Sequence, residues 1–401
     1  MPGIKERILE KSLLLRDEVV TLRRHFHMHP EMSFRETETA AFIENYLRNL
    51  GINIKAGIAG TGIIGWIEGN QGIAGKTVAV RAEMDALPIA ETNEVPYKSM
   101  NPGVMHACAH DANMAMLLAT ARIINDLRDT LAGTLILIFQ PGEEKSPGGA
   151  KLLLKTGVLD SPVPDYIIAQ HALPELETGR AGYKSGTYMA SCDEIYLEVT
   201  GKGGHAALPG LTTDQIYISS KLVIRLKETI SGLQNENGIP TVLGIGRISG
   251  EGATNIIPEK VEIAGTFRTF NEKWRKQALD IIRKVTSDTA TEYGVKVNVN
   301  IAEGYPVLIN DDNLTERGIK LSRALLGDDN VEIFSDIRMT SDDFSFYSSL
   351  APSLYFRYGV RKKGTEMRKL HTSGFDIDEE SLLNGTANLS WIVYNLMSEA
   401  G

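Results

Sequence analysis

The chain has 401 residues, enough for two domains with substantial cores. Its 42% hydrophobic and 23% charged content is that of an ordinary globular protein, and 42 basic against 51 acidic side chains leave a formal charge of −9. With no basic stripe, nucleic acid is not an expected partner; no apolar stretch is long enough to span a bilayer, and two cysteines imply no disulfide framework.

Residues 4–28 read as one amphipathic helix, charged throughout and without a signal-peptide block, so a reduced, cytoplasmic setting is expected. A loop, HPEMSFRE, leads to a helix over 37–50 stopped by Gly51. Strands follow at 63–68, 77–82, 134–140 and 166–172, with a helix of small and apolar residues at 112–127. Strands alternating with helices predict an α/β sandwich on a mixed, largely parallel sheet. The middle changes character: strand 194–200, helix 214–231, strands 241–248 and 260–270, helix 273–293, strand 296–301. That β-α-β-β-α-β order is ferredoxin-like. After Gly304-Tyr305-Pro306 longer helices return, with a strand at 353–360. The simplest parse is an α+β module, residues 187–299, inserted into a discontinuous α/β domain of residues 1–186 and 300–401.

The residues that could do chemistry sit at the ends of these elements. Cys108-x-His110 in VMHACAHDAN is a thiol and an imidazole that, in an extended or loop segment, would point the same way toward one ion. Asp111 and Asn113 follow at the helix start, where short polar side chains also serve as caps. LILIFQPGEE delivers Glu143 and Glu144 from a buried strand to a sheet edge, where open α/β sheets place ligands. One carboxylate could hold metal while the other takes a proton from metal-bound water. His171 ends the apolar strand YIIAQHA, and His371 lies in KLHTSGFD. Each residue alone has a bland structural reading; five of ligand type together suit a pair of divalent ions and point to hydrolysis. In the middle module, His205 stands on a glycine-rich turn, Asn255 in ATNIIPEK, and Arg268 on a strand whose guanidinium could fork onto a carboxylate.

HMHPEMSFRE, RAEMDALPI, VMHACAHDA, FQPGEE, GKGGHAALP, NIIPEKVEIAGTFRTF, SDDFSFY and LHTSGFD occur in the order found in one family. The chain resembles the amidohydrolase branch of the aminoacylase and glutamate-carboxypeptidase metallopeptidase superfamily, over almost its whole length. The resemblance implies a zinc-peptidase-like catalytic domain with an inserted lid through which a homodimer forms. It implies two divalent ions, Zn or Mn with Co or Ni admitted, held by Cys108, His110, Glu144, His171 and His371. Glu143 would be general base and proton donor. His205 would steady the oxyanion in the partner subunit's site, Asn255 and Arg268 would hold a substrate carboxylate, and Asp85 would support the site. The implied reaction is hydrolysis of an N-acyl (acetyl, benzoyl or similar) amino acid. The alternatives are a dipeptidase or carboxypeptidase with the same site, and more remotely a metal- or ligand-binding homologue without turnover. Two departures stand beside the ligands: the family usually reads CGHDxH where this chain has Ala109 and Asn113, and RADMDALP where it has Glu83.

Overall fold

Continuous apolar runs such as the TLILIFQ of Thr134–Gln140 suit strands buried on both faces, and Leu135 to Phe139 are indeed fully buried. The computed structural model describes residues 3–72 and 75–399. The chain divides into two units: Met1–Gly186 with Ile309–Asp336 and Asp343–Gly401, and Thr187–Leu308 with Ile337–Asp342. No helix among the described residues is long and apolar enough to cross a membrane.

The first unit carries an eight-stranded sheet in the order Asn53–Ile58, Gly62–Glu68, Thr134–Gln140, Thr77–Glu83, Tyr166–Glu177, Ser353–Arg361, Ala181–Tyr183, Val331–Ile333. The four strands from Thr134–Gln140 to Ser353–Arg361 run parallel, in registers Thr77↔Thr134, Val78↔Tyr166 and Ser353↔Ile167. Antiparallel pairs flank them, giving the expected mixed, largely parallel α/β sheet. The helix His110–Leu127 packs on this sheet and on the helices Arg16–Met28 and Glu380–Met397. Met114, Leu117, Leu118, Ile123, Ile124 and Leu127 on it are at most 1% exposed. Each burial of that kind stabilises by about 1.5–3 kcal/mol, so the helix anchors the loop that precedes it.

Three expectations change here. The helix expected over 4–28 is two, Ile4–Leu14 and Arg16–Met28. Leu13, Leu14 and Leu15 cannot share one helical face; Leu15 turns inward at the junction while Leu13 and Leu14 stay exposed. The helix expected over 112–127 begins at His110, with Ala109 as its cap, so neither Asp111 nor Asn113 caps it. Finally, His171 does not end its strand, which runs on to Glu177 beside Ser353–Arg361. On the other side, however, pairing with Thr77–Glu83 stops at Arg81↔Ala169. His171 therefore lies just past one neighbour while still held by the other.

The second unit has the antiparallel order Thr241–Ser249, Lys260–Thr269, Cys192–Thr200, Lys296–Tyr305, with helices Gln215–Asn237 and Glu272–Tyr293. Its chain order is β-α-β-β-α-β. Along Cys192–Thr200, Ile195, Leu197 and Val199 enter the core while Tyr196 is exposed, the period-two pattern of a half-buried strand. A buried fork from Arg275 onto Asp193 (2.6 and 2.8 Å) ties helix to strand. The short segment Ile337–Asp342 joins this unit because Ala190 N–H donates to the carbonyls of Arg338 and Thr340 (3.0 and 3.1 Å) and Arg268 donates to that of Met339 (2.9 Å).

Candidate active site

The strand Thr134–Gln140 ends in a turn that only glycine can make. Gly142 has φ +61°, and a Cβ there would sit 2.3 Å from the Phe34 ring. Its N–H donates to Glu36 (2.9 Å), whose buried carboxylate also accepts from Phe34 N–H and the Thr61 hydroxyl. The next two amides, of Glu143 and Glu144, donate to the two oxygens of Asp85 (3.0 and 2.9 Å), and Ser33 adds a third bond (2.6 Å). Burial works to raise the Asp85 carboxyl, but His110, Ser33 and the Glu144 amide outweigh it and hold it at about 2. A permanently charged Asp85 thus clamps the turn that carries both glutamates.

The five ligand-type residues converge in the first unit. Donor atoms of Cys108, His110 and His171 lie within 4.8 Å of one another, as do those of Cys108, Glu144 and His371. Cys108 is common to both triads, and its Sγ is 3.5 Å from His171 Nε2 and 3.2 Å from His371 Nε2. A third group joins His110, Glu143 and Glu144. Backbone carbonyls aim the imidazoles: His110 Nδ1 donates to Asp85 O (2.8 Å) and His171 Nδ1 to Ala172 O (3.0 Å). Each ring is left with Nε2 facing the cluster, the usual support for a metal-binding histidine.

Two orphaned atoms test whether a cation fits. His110 Nε2 and Glu144 Oε1 are buried without a hydrogen bond, Glu144 Oε1 having His371 Nε2 3.2 Å away. Such atoms are costly unless something satisfies them. The local field agrees: burial opposes charge on His110, yet Asp85, Glu83 and Glu144 raise it to about 10. Burial, then Glu144 and Glu143, push the Cys108 thiol well above its ordinary value. The pocket favours positive charge and resists a lone thiolate, and a divalent cation answers both demands. Sulfur, nitrogen and oxygen donors in this mixture fit borderline ions such as Zn.

The backbone at the ligands is not the extended segment that the Cys108-x-His110 spacing suggested. Ala109 has φ +63° and His371 φ +59°, the left-handed region that side chains other than glycine avoid. The turn at Ala109, rather than an extended i, i+2 alternation, brings Cys108 and the first helical residue His110 to one place.

Beneath the ligands lies a buried polar layer that the sequence reading did not identify. Asn113 donates to Glu83 (2.9 Å) and accepts from the Tyr358 hydroxyl (2.8 Å), while Arg81 bonds to Glu83, to Gln140 (3.0 Å) and to Asp343 (2.5 Å). Glu83 and Asn113, both departures from the family pattern, are therefore direct partners. A second cluster holds the start of the same helix: Asp111 accepts from Arg23 (2.8 Å) and bonds His27 (2.7 Å), and Arg23 reaches Asp376 (2.7 Å). Burial and then Arg23 drive the Asp111 carboxyl in opposite directions, and it ends below the ordinary range. Only the FRE of HMHPEMSFRE hinted at Glu36; long-range partnerships such as Arg23–Asp111 leave no local pattern.

The remaining named residues belong to the second unit. His205 is exposed on a two-residue strand paired with Ile256, and its Nδ1 accepts from Ala207 N–H (3.1 Å). A ring accepting at Nδ1 carries its proton on Nε2, which can donate. Asn255 is exposed nearby, its carbonyl accepting from Ala206 N–H (2.9 Å). Arg268 is half-buried, spending Nη1 on Met339 O and on the Ser341 hydroxyl (3.3 Å).

Comparison with known proteins follows the same lines. The pattern of peptidase family M20/M25/M40 matches residues 79–395. An N-acyl-L-amino acid amidohydrolase of Geobacillus stearothermophilus is 37% identical over 308 residues, 77% of this chain and 82% of its own. Thermostable carboxypeptidase 2 of Saccharolobus solfataricus is 36% identical, over 92% of this chain and 93% of its own. Among solved structures, a Bacillus subtilis protein described as a dinuclear metal-binding peptidase of the M20 family superposes with a TM-score of 0.79 at 31% identity. That match covers 96% of this chain and 99% of the other.

Proposed function

Because this chain belongs to peptidase family M20/M25/M40, a family of hydrolases, we propose that it is an amidohydrolase cleaving N-acyl amino acids to a carboxylate and a free amino acid. Cys108, His110, Glu144, His171 and His371 would hold two divalent ions, Zn or Mn by preference, Co or Ni by admission. When bound, such ions acidify a water and polarise a carbonyl. Glu143 takes the proton from the attacking water and passes it to the leaving nitrogen. Asp85 keeps Glu143 and Glu144 in place through their amides. His205, donating from Nε2, steadies the oxyanion in the site of a second subunit of a homodimer, and Asn255 and Arg268 take the substrate carboxylate. A cytoplasmic, reducing setting belongs to the same reading, because Cys108 ligates only as a thiolate outside any disulfide, and both cysteines are free.

The observation that carries this reading is the third triad, a carboxylate oxygen of Glu143 within 4.8 Å of donors on His110 and Glu144. Glu143→Gln should retain two metals per chain while kcat on N-acetyl amino acids drops about 10²-fold or more. Undiminished turnover removes Glu143 as the base. The likeness to a carboxypeptidase favours a second reading, peptide hydrolysis with the same site. A panel of N-acetyl, N-benzoyl and dipeptide substrates separates the two.

A further inference from the structure

We propose that a cationic pocket beside Glu144 receives an acyl group that ends in a carboxylate, so that the preferred substrates are amino acids N-acylated by a short dicarboxylic acid. This rests on the amidohydrolase reading and narrows it.

In the first unit, a cavity of about 390 Å³ has Glu144, one of the five ligand-type residues, in its lining. That volume lies at the small end of ligand pockets, about 300–1,000 Å³, suiting a group of a few carbons. Its apolar lining is Met32, Leu87 and Pro88, and the backbone beside it is pinned: Ala86 N–H donates to Glu31 O (2.8 Å), and Leu87 and Met105 exchange two bonds of 3.0 Å. Methylene groups can lie against it without stranding a polar atom.

Arg35 and Lys145, both exposed, also line it. Neither side chain makes a hydrogen bond or ion pair among the described residues. Two of the acids close to them in sequence are committed elsewhere: Glu36 to Phe34, Thr61 and Gly142, and Glu31 to the amides of Glu38 and Thr39. Glu144, the one acid in the wall, belongs to the ligand set. Two positive charges are therefore left for whatever enters.

A larger cavity of about 790 Å³ lacks this bias. Its Arg361 and Arg368 face Glu177 and Asp376 (3.7 and 3.6 Å), and Asp378, Glu379 and Glu380 share its walls. A small cavity lined by apolar side chains and by two unpaired cations fits a succinyl or glutaryl chain better than acetyl, which has no carboxylate to offer them. With Asn255 and Arg268 taken for the α-carboxylate, the second charge falls on the acyl side.

The test compares N-succinyl- and N-glutaryl-L-alanine with their uncharged counterparts, N-butanoyl- and N-pentanoyl-L-alanine, on the full chain reconstituted with Zn²⁺ or Mn²⁺. The kcat/KM ratio of charged to uncharged substrate should be about tenfold, the effect of two partly exposed charge pairs. It should fall to about one in the Arg35→Gln/Lys145→Gln double variant and shrink with added salt. Free glutarate should likewise inhibit more strongly than free pentanoate in the wild type only. A ratio near one in the wild type, or a preference that survives in the double variant, overturns the pocket assignment and leaves the amidohydrolase reading standing. No hydrolysis of the four while N-acetyl or N-benzoyl amino acids are cleaved overturns the pocket alone; no hydrolysis of any of them overturns both.

Discussion

Ala109 and His371 show how single residues decide the geometry of the candidate centre. Both adopt positive φ, both flank or supply a ligand, and both carry a side chain where glycine would be relaxed. Strain of this kind costs about 1–3 kcal/mol per residue and persists where the surroundings over-determine it. At Ala109 the methyl is fully buried, so removing it relieves the backbone but loses packing. Ala109→Gly should therefore leave stability within about 1 kcal/mol of wild type, whereas Ala109→Val, β-branched at the same φ, should cost more than about 2 kcal/mol. Denaturant unfolding measures both, and a Val variant as stable as the Gly variant would contradict the left-handed assignment. The ligand-type residues were legible in the sequence because thiol, imidazole and carboxylate side chains have few other reasons to recur at element ends. The conformation that joins Cys108 to His110 was not legible, since alanine gives no sign of positive φ.

At the scale of elements, the strand Thr77–Glu83 and the helix His110–Leu127 meet through the bond between Glu83 and Asn113. In sequence these were two separate departures from the family pattern. In the fold the longer acid and the shorter amide complement each other, and Asn113 faces Glu83 and Tyr358 within the core. Asn113→His alone should overpack the layer at about 1–3 kcal/mol, and Glu83→Asp alone should withdraw a buried acceptor at similar cost. The double variant should be more stable than the sum of the singles implies, by about 1 kcal/mol or more. Strict additivity in a thermal-unfolding cycle would show that the two positions are not coupled. Periodicity identified most strands and helices because burial imposes it directly on the chain. Strand length was harder to read: Tyr166–Glu177 continues past His171 only because Ser353–Arg361, far away in sequence, pairs with it.

For the molecule as a whole, the acidic and thiol groups gathered in the first unit resist close packing without a counter-charge. Burial, then Glu144 and Glu143, raise the cost of ionising the Cys108 thiol. A cation bound only by the folded chain adds stability by mass action, about 2.7 kcal/mol when its free concentration is a hundred times its Kd. Chelation should therefore lower Tm, and Zn²⁺ or Mn²⁺ should restore it in proportion to the logarithm of metal concentration. An identical Tm with and without chelator would argue against a metal centre at these residues. The variant Glu143→Gln should keep the metal-dependent rise, because Glu143 is assigned to proton transfer rather than to the ligand set.

The sequence by itself determined the class of the fold, the ferredoxin-like order of its middle segment and the residue types suited to metal-assisted hydrolysis. These follow from local periodicity and from side-chain chemistry, which the chain states directly. Tertiary structure alone decided that Cys108 stands in both triads, that Asp85 clamps the amides of the two glutamates, and that Glu83 and Asn113 touch. It alone set Arg35 and Lys145 unpaired in the lining of one cavity. The physical reason is common to all four: each depends on which distant segments a buried sheet and helix bring within hydrogen-bond reach, and no local pattern encodes that.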